Sequence, residues 1–507
     1  MDNAARAQVR ATTPQTARAY LFRHGYFTGQ QLPEFISPGG FDQMGLEPLP
    51  PVGWPETTPL EYFAPKGAHS WRRFSLLHPF AYWHLVNTVT SADCWNQVQT
   101  LLGRHRGITA YTLPEYLTQP NPAKGHIRSF GQFERETLSA AGTYTHLVAC
   151  DISNFYPSVY THSVAWAFEG KEAAKRERWN LNLAGNRLDK AFRLARQNQT
   201  NGLPIGNLVS DLVSEVILAD IDEAITVRLE AEHVDFFGAR FRDDYKLLCR
   251  SEAEARHIIG VVSRVLHDRY DLALSTEKTR IFDDVVAGCT RPWSAAIAAE
   301  SSLRFLSTDL AEVRLTGRQL SEALLATYRI QRAFAGGSPA TTILLKLNRV
   351  PELAERAHSS QVIYSISLLD RIMAIRAEVI PAAVVVIDTL LGRLPPPERG
   401  RVLANLLRLE SAVADEQFRQ VWLLRLAHHH DPSLIEQFAQ LDNPILQVIF
   451  EHRESALAAF PLIQGISDRD RQELEKFRLV DYDRWEALKG VAIPQSAVDV
   501  FASYTTD

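Results

Sequence analysis

The sequence predicts an α+β domain followed by a long helical region. Strand-like and helix-like segments alternate between about residues 70 and 300. From about residue 301, apolar residues recur at helical spacing almost to the end of the chain. The 507 residues are more than one compact core normally covers. We therefore expect an irregular N-terminal segment over residues 1–70, a mixed domain over 71–300 and a helical domain over 301–507.

Composition limits the class of protein. The apolar fraction of 46% and the charged fraction of 22% are ordinary for a soluble globular protein. A net charge of −5 excludes a wholly basic nucleic-acid coat protein. The four cysteines are scattered and form no CxxC pair, so we expect no zinc ribbon and a reducing, cytoplasmic location. The sequence shows neither a signal peptide nor an apolar run of about 18 residues, so no membrane segment is expected.

The N-terminal segment is rich in proline and glycine, as in Ser37-Pro38-Gly39-Gly40 and Pro48-Leu49-Pro50-Pro51. These residues favour turns and interrupt regular elements. The pattern predicts loop-like polypeptide that wraps another domain.

A first candidate for chemistry follows a buried strand. The apolar run His146–Cys150 ends in Asp151, and Tyr156 comes five residues later. Asp151 at such a tip is a candidate metal ligand. Tyr156 would collide with the 2′-hydroxyl of an incoming nucleotide. The alternative is that Asp151 caps a helix and Tyr156 lies in the core.

A glycine-rich turn forms the second candidate. The run NGLPIGN at 201–207 precedes an amphipathic helix with apolar residues at 3.6-residue spacing. Glycine lets the backbone approach a ligand closely, and a helix N-terminus suits phosphate. The alternative is an ordinary loop that ends in Asn207 as the helix cap.

The third candidate is a hairpin turn at Phe241-Arg242-Asp243-Asp244, with apolar residues on both sides. Adjacent aspartates also occur on surface turns without a function, and we interpret Asp283-Asp284 in that way. About thirty-five residues after the first pair, a strand-like run at Leu272-Ala273-Leu274 ends near Lys278. Lys278 could protonate or balance a leaving pyrophosphate, or it could be an ordinary solvated lysine.

Three carboxylates at the tips of two apolar strands repel one another and lose hydration. Divalent cations between them remove this cost, and two metals about 3.5–4 Å apart serve in-line phosphoryl transfer. The four elements come in the order and spacing of polymerase palm motifs A to D. The sequence therefore predicts a nucleotidyl transferase that uses two Mg²⁺ ions, which Mn²⁺ could replace.

The chain resembles reverse transcriptases of the prokaryotic abortive-infection and defence-associated class. The most specific block is YTHSVAWA at 160–167, followed by Gly170-Lys171 and Ala174-Lys175. FSLLHPF at 74–80 is similar to the finger segment of that class, and LPEF at 32–35 resembles its N-terminal stretch more weakly. The resemblance covers residues from about 30 to about 285.

The resemblance implies a right-hand palm and fingers, with a helical domain in place of the thumb. It makes Asp151, Asp243 and Asp244 the metal ligands, together with the backbone of Ile152, and Lys278 a catalytic residue. The implied nucleotide-binding residues are Tyr156 as sugar gate, Phe155, Gly206 and Arg128 in the fingers. Two positions depart from conventional members, because Arg242 and Ile205 stand where small and glutamine residues are usual. Ordinary handling of primer and template is therefore in doubt.

The C-terminal helices are separated by short breakers such as Gly336-Gly337-Ser338-Pro339 and Asp431-Pro432. Either a HEAT-like stack or an irregular all-helical domain fits this pattern. We expect a homo-oligomer. Consecutive histidines at His428-His429-His430 point in different directions on a helix, which disfavours a metal site there.

Three functions remain open on the sequence. The first is a defence DNA polymerase that uses dNTPs. Some members of the class that the chain resembles need no template and prime from a protein tyrosine, so that their DNA product is covalently attached to the protein. Tyr20, Tyr26 and Tyr111 are all open as that tyrosine. The second is a reverse transcriptase that copies a bound non-coding RNA. The third is a non-catalytic assembly protein with a relic palm.

Overall fold

The computed structural model describes residues 3–27, 32–47, 51–67, 70–104, 107–113, 130–408, 417–451 and 455–494. The N-terminal part contains two helices, a strand, a two-stranded hairpin and two further helices: α1 (Asn3–Ala11), α2 (Pro14–His24), β1 (Ile36–Gly39), β2 (Leu60–Gly67), β3 (Ser70–Leu76), α3 (Pro79–Val89) and α4 (Ala92–Gly103). A short 3₁₀ turn lies at Pro51–Gly53.

The prediction of irregular structure over residues 1–70 is wrong for Asn3–Ala11 and Pro14–His24, which form α1 and α2. Helix α2 begins where the side chain of Thr13 accepts a hydrogen bond from the backbone of Thr16, with Pro14 in the first turn. Such a cap stabilises a helix by about 1 kcal/mol. The prolines and glycines on which the prediction depended come later, between residues 33 and 59. The prediction wrongly extended the effect of these prolines and glycines to the residues that precede them.

A five-stranded sheet forms the centre of the mixed domain. Its strands are β4 (Ile108–Ala110), β5 (His146–Asp151), β6 (Phe237–Phe241), β7 (Asp244–Cys249) and β8 (Arg280–Phe282). Their order is β4-β6-β7-β5-β8, antiparallel except for the β4–β6 pair. The first and third candidate motifs thus meet in neighbouring strands, since β5 pairs directly with β7.

Helices cover both faces of this sheet. Those that contact its strands include α5 (Phe130–Ala140), α10 (Leu208–Ala231), α11 (Glu252–Tyr270) and α12 (Val285–Cys289). The other helices of this part are α6 (Phe155–Ser158), α7 (His162–Glu169), α8 (Lys171–Arg176) and α9 (Ala184–Leu194). On β5, Val148 faces the main core beside α10 and α11, while Leu147 packs against Leu248 and α12. Alternate side chains of a strand point to opposite faces, so a strand buried on both sides reads as a continuous apolar run.

The C-terminal part is helical with three short strands. Its elements are α13 (Ser294–Ala299), β9 (Arg314–Thr316), α14 (Gly317–Ala333), α15 (Pro339–Leu347), β10 (Glu352–Glu355), α16 (Ser359–Met373), α17 (Ile380–Leu391), α18 (Pro396–Arg408), α19 (Gln417–His430), α20 (Ile435–Phe438), α21 (Pro444–Glu451), α22 (Asp468–Leu474), β11 (Arg478–Val480) and α23 (Tyr482–Ala487). Short 3₁₀ turns lie at Ser301–Ser307, Leu310–Glu312, Ala377–Val379, Pro432–Leu434 and Ala456–Ala459.

The N-terminal and C-terminal parts pack on each other. Strand β1 pairs with β11, and the guanidinium of Arg425 in α19 donates to the carboxylate of Glu34 at 2.9 Å. The backbone of Phe63 in β2 donates to the side chain of Gln417 at 3.2 Å. The C-terminal helices therefore lie against the β2–β3 hairpin. Within the described ranges, no helix is both long enough and apolar enough to span a membrane.

Candidate functional site

A cleft of about 640 Å³ opens at one end of the central sheet. Its walls come from the tips of β5 and β7, the β2–β3 hairpin, the start of α10, and the segment around α15. A volume of this size suits a small-molecule ligand, because ligand pockets usually measure about 300–1,000 Å³.

The three predicted aspartates converge at the floor of the cleft. Asp151 is the last residue of β5 and lies opposite Asp244, the first residue of β7. Asp243 occupies the turn between β6 and β7, and the backbone N–H of Ile152 donates to its carbonyl at 3.2 Å. The ladder between β5 and β7 therefore sets the separation of the carboxylates.

Like charge and burial act on these carboxylates. Burial, followed by the charges of Asp243 and Asp151, raises the pKa of Asp244 well above its ordinary value. Asp244 opens into the cleft, while protein atoms enclose it on the other sides. Burial and the charge of Asp151 also raise the pKa of Asp243, although Arg242 and Lys278 oppose the shift. The positive side chains near the three aspartates therefore do not fully balance the negative charge of their carboxylates.

The set of donors fits divalent cations such as Mg²⁺. Three carboxylates supply hard oxygen ligands around one open space, and Mg²⁺ is usually held by one or two carboxylates together with substrate phosphates and water. The raised pKa values show that cations would relieve repulsion at this point. Ile152, whose backbone was a predicted ligand, lines the same cleft.

Lys278 reaches the aspartates from the neighbouring loop. Its ammonium Nζ lies 2.8 Å from Oδ1 of Asp151. Burial acts to lower the pKa of Lys278, but the hydrogen bond and charge of Asp151 outweigh it and raise that pKa. The predicted strand at 272–274 is reduced to a single bridge between Leu274 and Ile152, and Lys278 lies in the turn before β8. The strand prediction was wrong because Leu272 packs into the core at the end of α11.

Tyr156 lines the cleft, and its ring is held on two sides. Its hydroxyl donates to Oδ1 of Asp211 in the first turn of α10 at 2.6 Å, and Ser214 Oγ donates to it at 3.2 Å. Phe155 is buried and meets the Tyr156 ring edge-on, with the centroids 5.6 Å apart. Phe155 therefore supports Tyr156 from behind. Sequence reasoning did not find Asp211, although an acidic residue in the first turn of a predicted helix was visible.

The glycine-rich turn lies where the sequence predicts. Helix α10 begins at Leu208, and the side chain of its cap, Asn207, accepts from the backbone of Ser210 at 2.9 Å. Gly206 has a φ of +117°, which disfavours any other residue, and it faces Phe74 of β3. The backbone of Ser75 donates to the carbonyl of Ile205 at 2.9 Å. The turn thus joins the β2–β3 hairpin to the palm.

Within the described part of the chain, six arginine side chains line the same cleft as the aspartates. They belong to Arg72, Arg73, Arg196, Arg242, Arg291 and Arg376. Arg128, a predicted nucleotide-binding residue, lies outside the described residues. Arginine in such a position suits phosphate groups of a nucleotide.

The segment around α15 closes one side of the cleft, which sequence reasoning missed. Gly336, Gly337, Ser338 and Thr341 line it. The sequence analysis treated this Gly-Gly-Ser-Pro run only as a helix breaker. Glu378 lies 3.6 Å from Arg72 of β3 and 3.0 Å from Arg376. The pair with Arg72 connects the β2–β3 hairpin to the C-terminal part, while the pair with Arg376 lies within the C-terminal part.

The three candidate priming tyrosines lie away from the cleft. Tyr26 and Tyr111 are fully buried, and Tyr20 is 8% exposed. The hydroxyl of Tyr26 donates to the carbonyl of Leu77, and that of Tyr111 donates to Glu136. Among the described residues that line the cleft, Tyr156 is the one tyrosine. In this conformation, none of Tyr20, Tyr26 and Tyr111 can reach a nucleotide there.

The histidine run is arranged differently from the sequence expectation. His429 and His430 both reach Asp388 of α17, at 2.6 Å and 3.0 Å, and their rings lie 3.9 Å apart. The argument that consecutive histidines diverge therefore holds only for His428, which packs on Trp485. The second oxygen of Asp388 accepts from the backbone of Ile493 at 3.0 Å. Hydrogen bonds with His429 and Ile493 and the contact with His430 satisfy this carboxylate, and His430 also lies 3.1 Å from the backbone carbonyl of Asp388.

Three comparisons with known proteins bear on this site. Residues 97–310 match the family described as Reverse transcriptase (RNA-dependent DNA polymerase). No curated protein matches the sequence. Among solved structures, apo telomerase from Candida tropicalis gives a TM-score of 0.32 at 12% identity, over 83% of this chain and 70% of that chain. Telomerase from Candida albicans with a telomeric RNA fragment gives 0.29 at 11% identity, over 70% and 64%. These two scores carry no argument about function.

The matched region contains all four candidate motifs and the whole central sheet. The predicted fold class is confirmed: a palm and fingers of reverse-transcriptase type, followed by a helical C-terminal region.

Proposed function

We propose that this reverse-transcriptase-like nucleotidyltransferase is a DNA polymerase that uses dNTPs and two Mg²⁺ ions, extends DNA without a template, and acts in anti-phage defence. The convergence of Asp151, Asp243 and Asp244 with Lys278 and Tyr156 in one cleft carries the catalytic part of the proposal. The defence role is supported only by the resemblance of residues 160–175 to the abortive-infection class.

Each side chain has a place in the reaction. Asp151, Asp243 and Asp244 would hold the cations, which supply charge stabilisation to the attacking and leaving oxygens of an in-line displacement. The attacking hydroxyl would lose its proton to solvent water as its oxygen bonds to the α-phosphorus of the dNTP, and the bond from that phosphorus to pyrophosphate would break. Lys278, which lines the same cleft, would give a proton to the departing pyrophosphate. The ring of Tyr156 also lines this cleft and would meet the sugar of the dNTP.

Synthesis without a template is proposed from the resemblance of residues 160–175 to the abortive-infection class. The cleft of about 640 Å³ is large enough for a nucleotide, and Arg72 lies 3.6 Å from Glu378 at its side. Copying of a bound non-coding RNA is the alternative.

Incubation of the purified protein with labelled dNTPs and Mg²⁺ tests this proposal. We expect incorporation that survives prior treatment with RNase. If a protein hydroxyl serves as primer, denaturing electrophoresis will show label that migrates with the polypeptide and is released only when both proteinase and DNase are added. Activity that disappears after RNase would establish the templated alternative, and no incorporation under any condition would contradict a polymerase.

Tyr156 is expected to select the sugar. Removing the ring in Tyr156→Ala should lower the preference for dNTPs over rNTPs, as a ratio of kcat/KM, by about 100-fold, which corresponds to about 2.7 kcal/mol. Tyr156→Phe is the matched control, because it keeps the ring and loses the hydroxyl with its hydrogen bonds to Asp211 and Ser214. It should stay within about threefold of the wild type on the same scale. Equal preference in all three proteins would exclude Tyr156 as the sugar gate.

A further inference from the structure

We propose that Thr112 and Arg240 are positioning residues that hold the β6–β7 turn in the geometry that cation binding needs. This inference rests on the proposed function in so far as Asp243 and Asp244 are the ligands. Neither Thr112 nor Arg240 touches the cleft, so each acts through the backbone of the residue before the two aspartates.

The turn contains a backbone conformation that needs support. Arg242 has a φ of +55°, in the left-handed region that a residue with a side chain rarely adopts. Such a conformation costs on the order of 1–3 kcal/mol and persists only when its surroundings hold it. The next residue is Asp243, so a change in this conformation would redirect that carboxylate and shift Asp244.

Buried side chains form hydrogen bonds with both the backbone N–H and the backbone carbonyl of Arg242. Its N–H donates to the hydroxyl Oγ1 of Thr112 at 3.2 Å. Its carbonyl accepts from Nη1 of Arg240 at 3.0 Å. Thr112 follows β4 and Arg240 belongs to β6, so the turn is held from two neighbouring strands of the sheet.

Arg240 and Thr112 are themselves fixed to helix α10. The guanidinium of Arg240 is 0% exposed and forms ion pairs with Glu215 at 3.1 Å and with Asp222 at 2.9 Å. The hydroxyl of Thr112 donates to Glu215, and that of Tyr245 donates to Asp222 at 2.9 Å. Both carboxylates project from α10, the helix that also carries Asp211 beside Tyr156. Side chains of one helix, α10, thus contact both the residues that hold the β6–β7 turn and Tyr156.

Stability alone does not account for such an arrangement. A buried ion pair is often no more stabilising than an apolar replacement of the same volume, because both charges lose their hydration. The hydrogen bonds of such an ion pair nevertheless fix the orientation of the side chains that form them. Outer partners of metal ligands commonly change metal affinity or activity by about 10- to 100-fold when they are removed. The network therefore suits a role in placing ligands.

The matched pair Thr112→Val and Thr112→Ser tests the inference. Valine has nearly the same shape but removes the acceptor for Arg242 and the donor to Glu215, whereas serine keeps both. The first measurement is the affinity for Mn²⁺ by electron paramagnetic resonance titration, which requires no turnover. We expect the Kd of Thr112→Val to rise about 10-fold and that of Thr112→Ser to stay within about twofold of the wild type. Thr327→Val is the control, since Thr327 is a buried threonine bonded only to its own helix in α14.

The second measurement is the rate of dNTP incorporation as a function of Mg²⁺ concentration. Thr112→Val should need about 10-fold more Mg²⁺ for half-maximal rate, with KM for dNTP at saturating Mg²⁺ nearly unchanged. If Thr112→Val does not fold, Thr112→Ala takes its place. An unchanged Mn²⁺ affinity in a folded variant, or an equal loss in Thr112→Ser or Thr327→Val, would overturn the inference. A wild type that binds Mn²⁺ but incorporates nothing would contradict the proposed function and leave the positioning result standing.

Discussion

The double substitution of Asp243→Asn with Asp244→Asn is expected to abolish dNTP incorporation, with a loss of at least about 1,000-fold. Asparagine keeps the size of each side chain but removes the charge that holds cations. Asp151 alone would remain on the floor of the cleft, already paired with Lys278 at 2.8 Å. Incorporation of labelled dNTPs under Mg²⁺ and under Mn²⁺ measures the effect, and activity within tenfold of the wild type would refute the ligand assignment.

The same substitution should make the metal-free protein more stable. The folded protein raises the pKa of Asp244, so in EDTA the wild type binds protons there more readily when folded than when unfolded. That contribution is fully present below about pH 4, the ordinary range of aspartate, and is lost as the pH rises through the folded pKa. The thermal midpoint in EDTA should therefore fall from pH 5 to pH 8 in the wild type and fall less in the variant. Mg²⁺ should stabilise only the wild type.

A second pair of adjacent aspartates offers a matched control. Asp283 and Asp284 follow β8, outside the cleft, and Asp284 caps α12 by accepting from the backbone of Ala287 at 3.0 Å. Asparagine caps a helix about as well as aspartate does. Asp283→Asn with Asp284→Asn should therefore leave both incorporation and the response to Mg²⁺ unchanged. A comparable loss in this control would assign the effect to net charge rather than to the cleft.

Local patterns were sufficient to predict the elements that carry the aspartates. A continuous apolar run that ends in a single charge marks β5, because both of its faces are buried. Two apolar strands around Arg242-Asp243 mark the β6–β7 hairpin. The glycine-rich turn marks the start of α10, and Asn207 caps that helix as the alternative interpretation of this motif expected. Each of these follows from neighbours within about ten residues along the chain.

Contacts between distant segments could not be predicted in the same way. Asp211 becomes part of the site only because α10 packs beside α6 and brings it to Tyr156, 55 residues away in sequence. Glu378 and Gly337 reach the cleft because the C-terminal helices lie against the β2–β3 hairpin. Thr112 looks like any loop threonine until β4 pairs with β6. Tertiary packing brings these residues to the site, and the contacts between distant segments cannot be deduced from a single sequence.

Lys278→Ala is expected to lower kcat for dNTP incorporation by about 100-fold while KM changes little. The ammonium of Lys278 lies 2.8 Å from Asp151, and this pairing raises its pKa, so the side chain is protonated at neutral pH. Cations on Asp151 would release the ammonium toward the leaving pyrophosphate. Lys278→Arg separates two roles, because arginine keeps the charge but does not give up a proton at these pH values. Pre-steady-state incorporation with labelled dNTPs measures the chemical step.

Leaving groups of different basicity distinguish a proton donor from a fixed charge. A dNTP with a β,γ-methylene bridge has a more basic leaving group than one with a β,γ-difluoromethylene bridge. If Lys278 protonates the leaving group, Lys278→Ala and Lys278→Arg should both slow the methylene analogue more, because the proton helps most where negative charge is least stable. If Lys278 only balances charge, Lys278→Arg should retain most of the rate and both analogues should slow by the same factor. Equal rates in all three proteins would remove Lys278 from the reaction and leave its bond to Asp151 as a feature of the metal-free state.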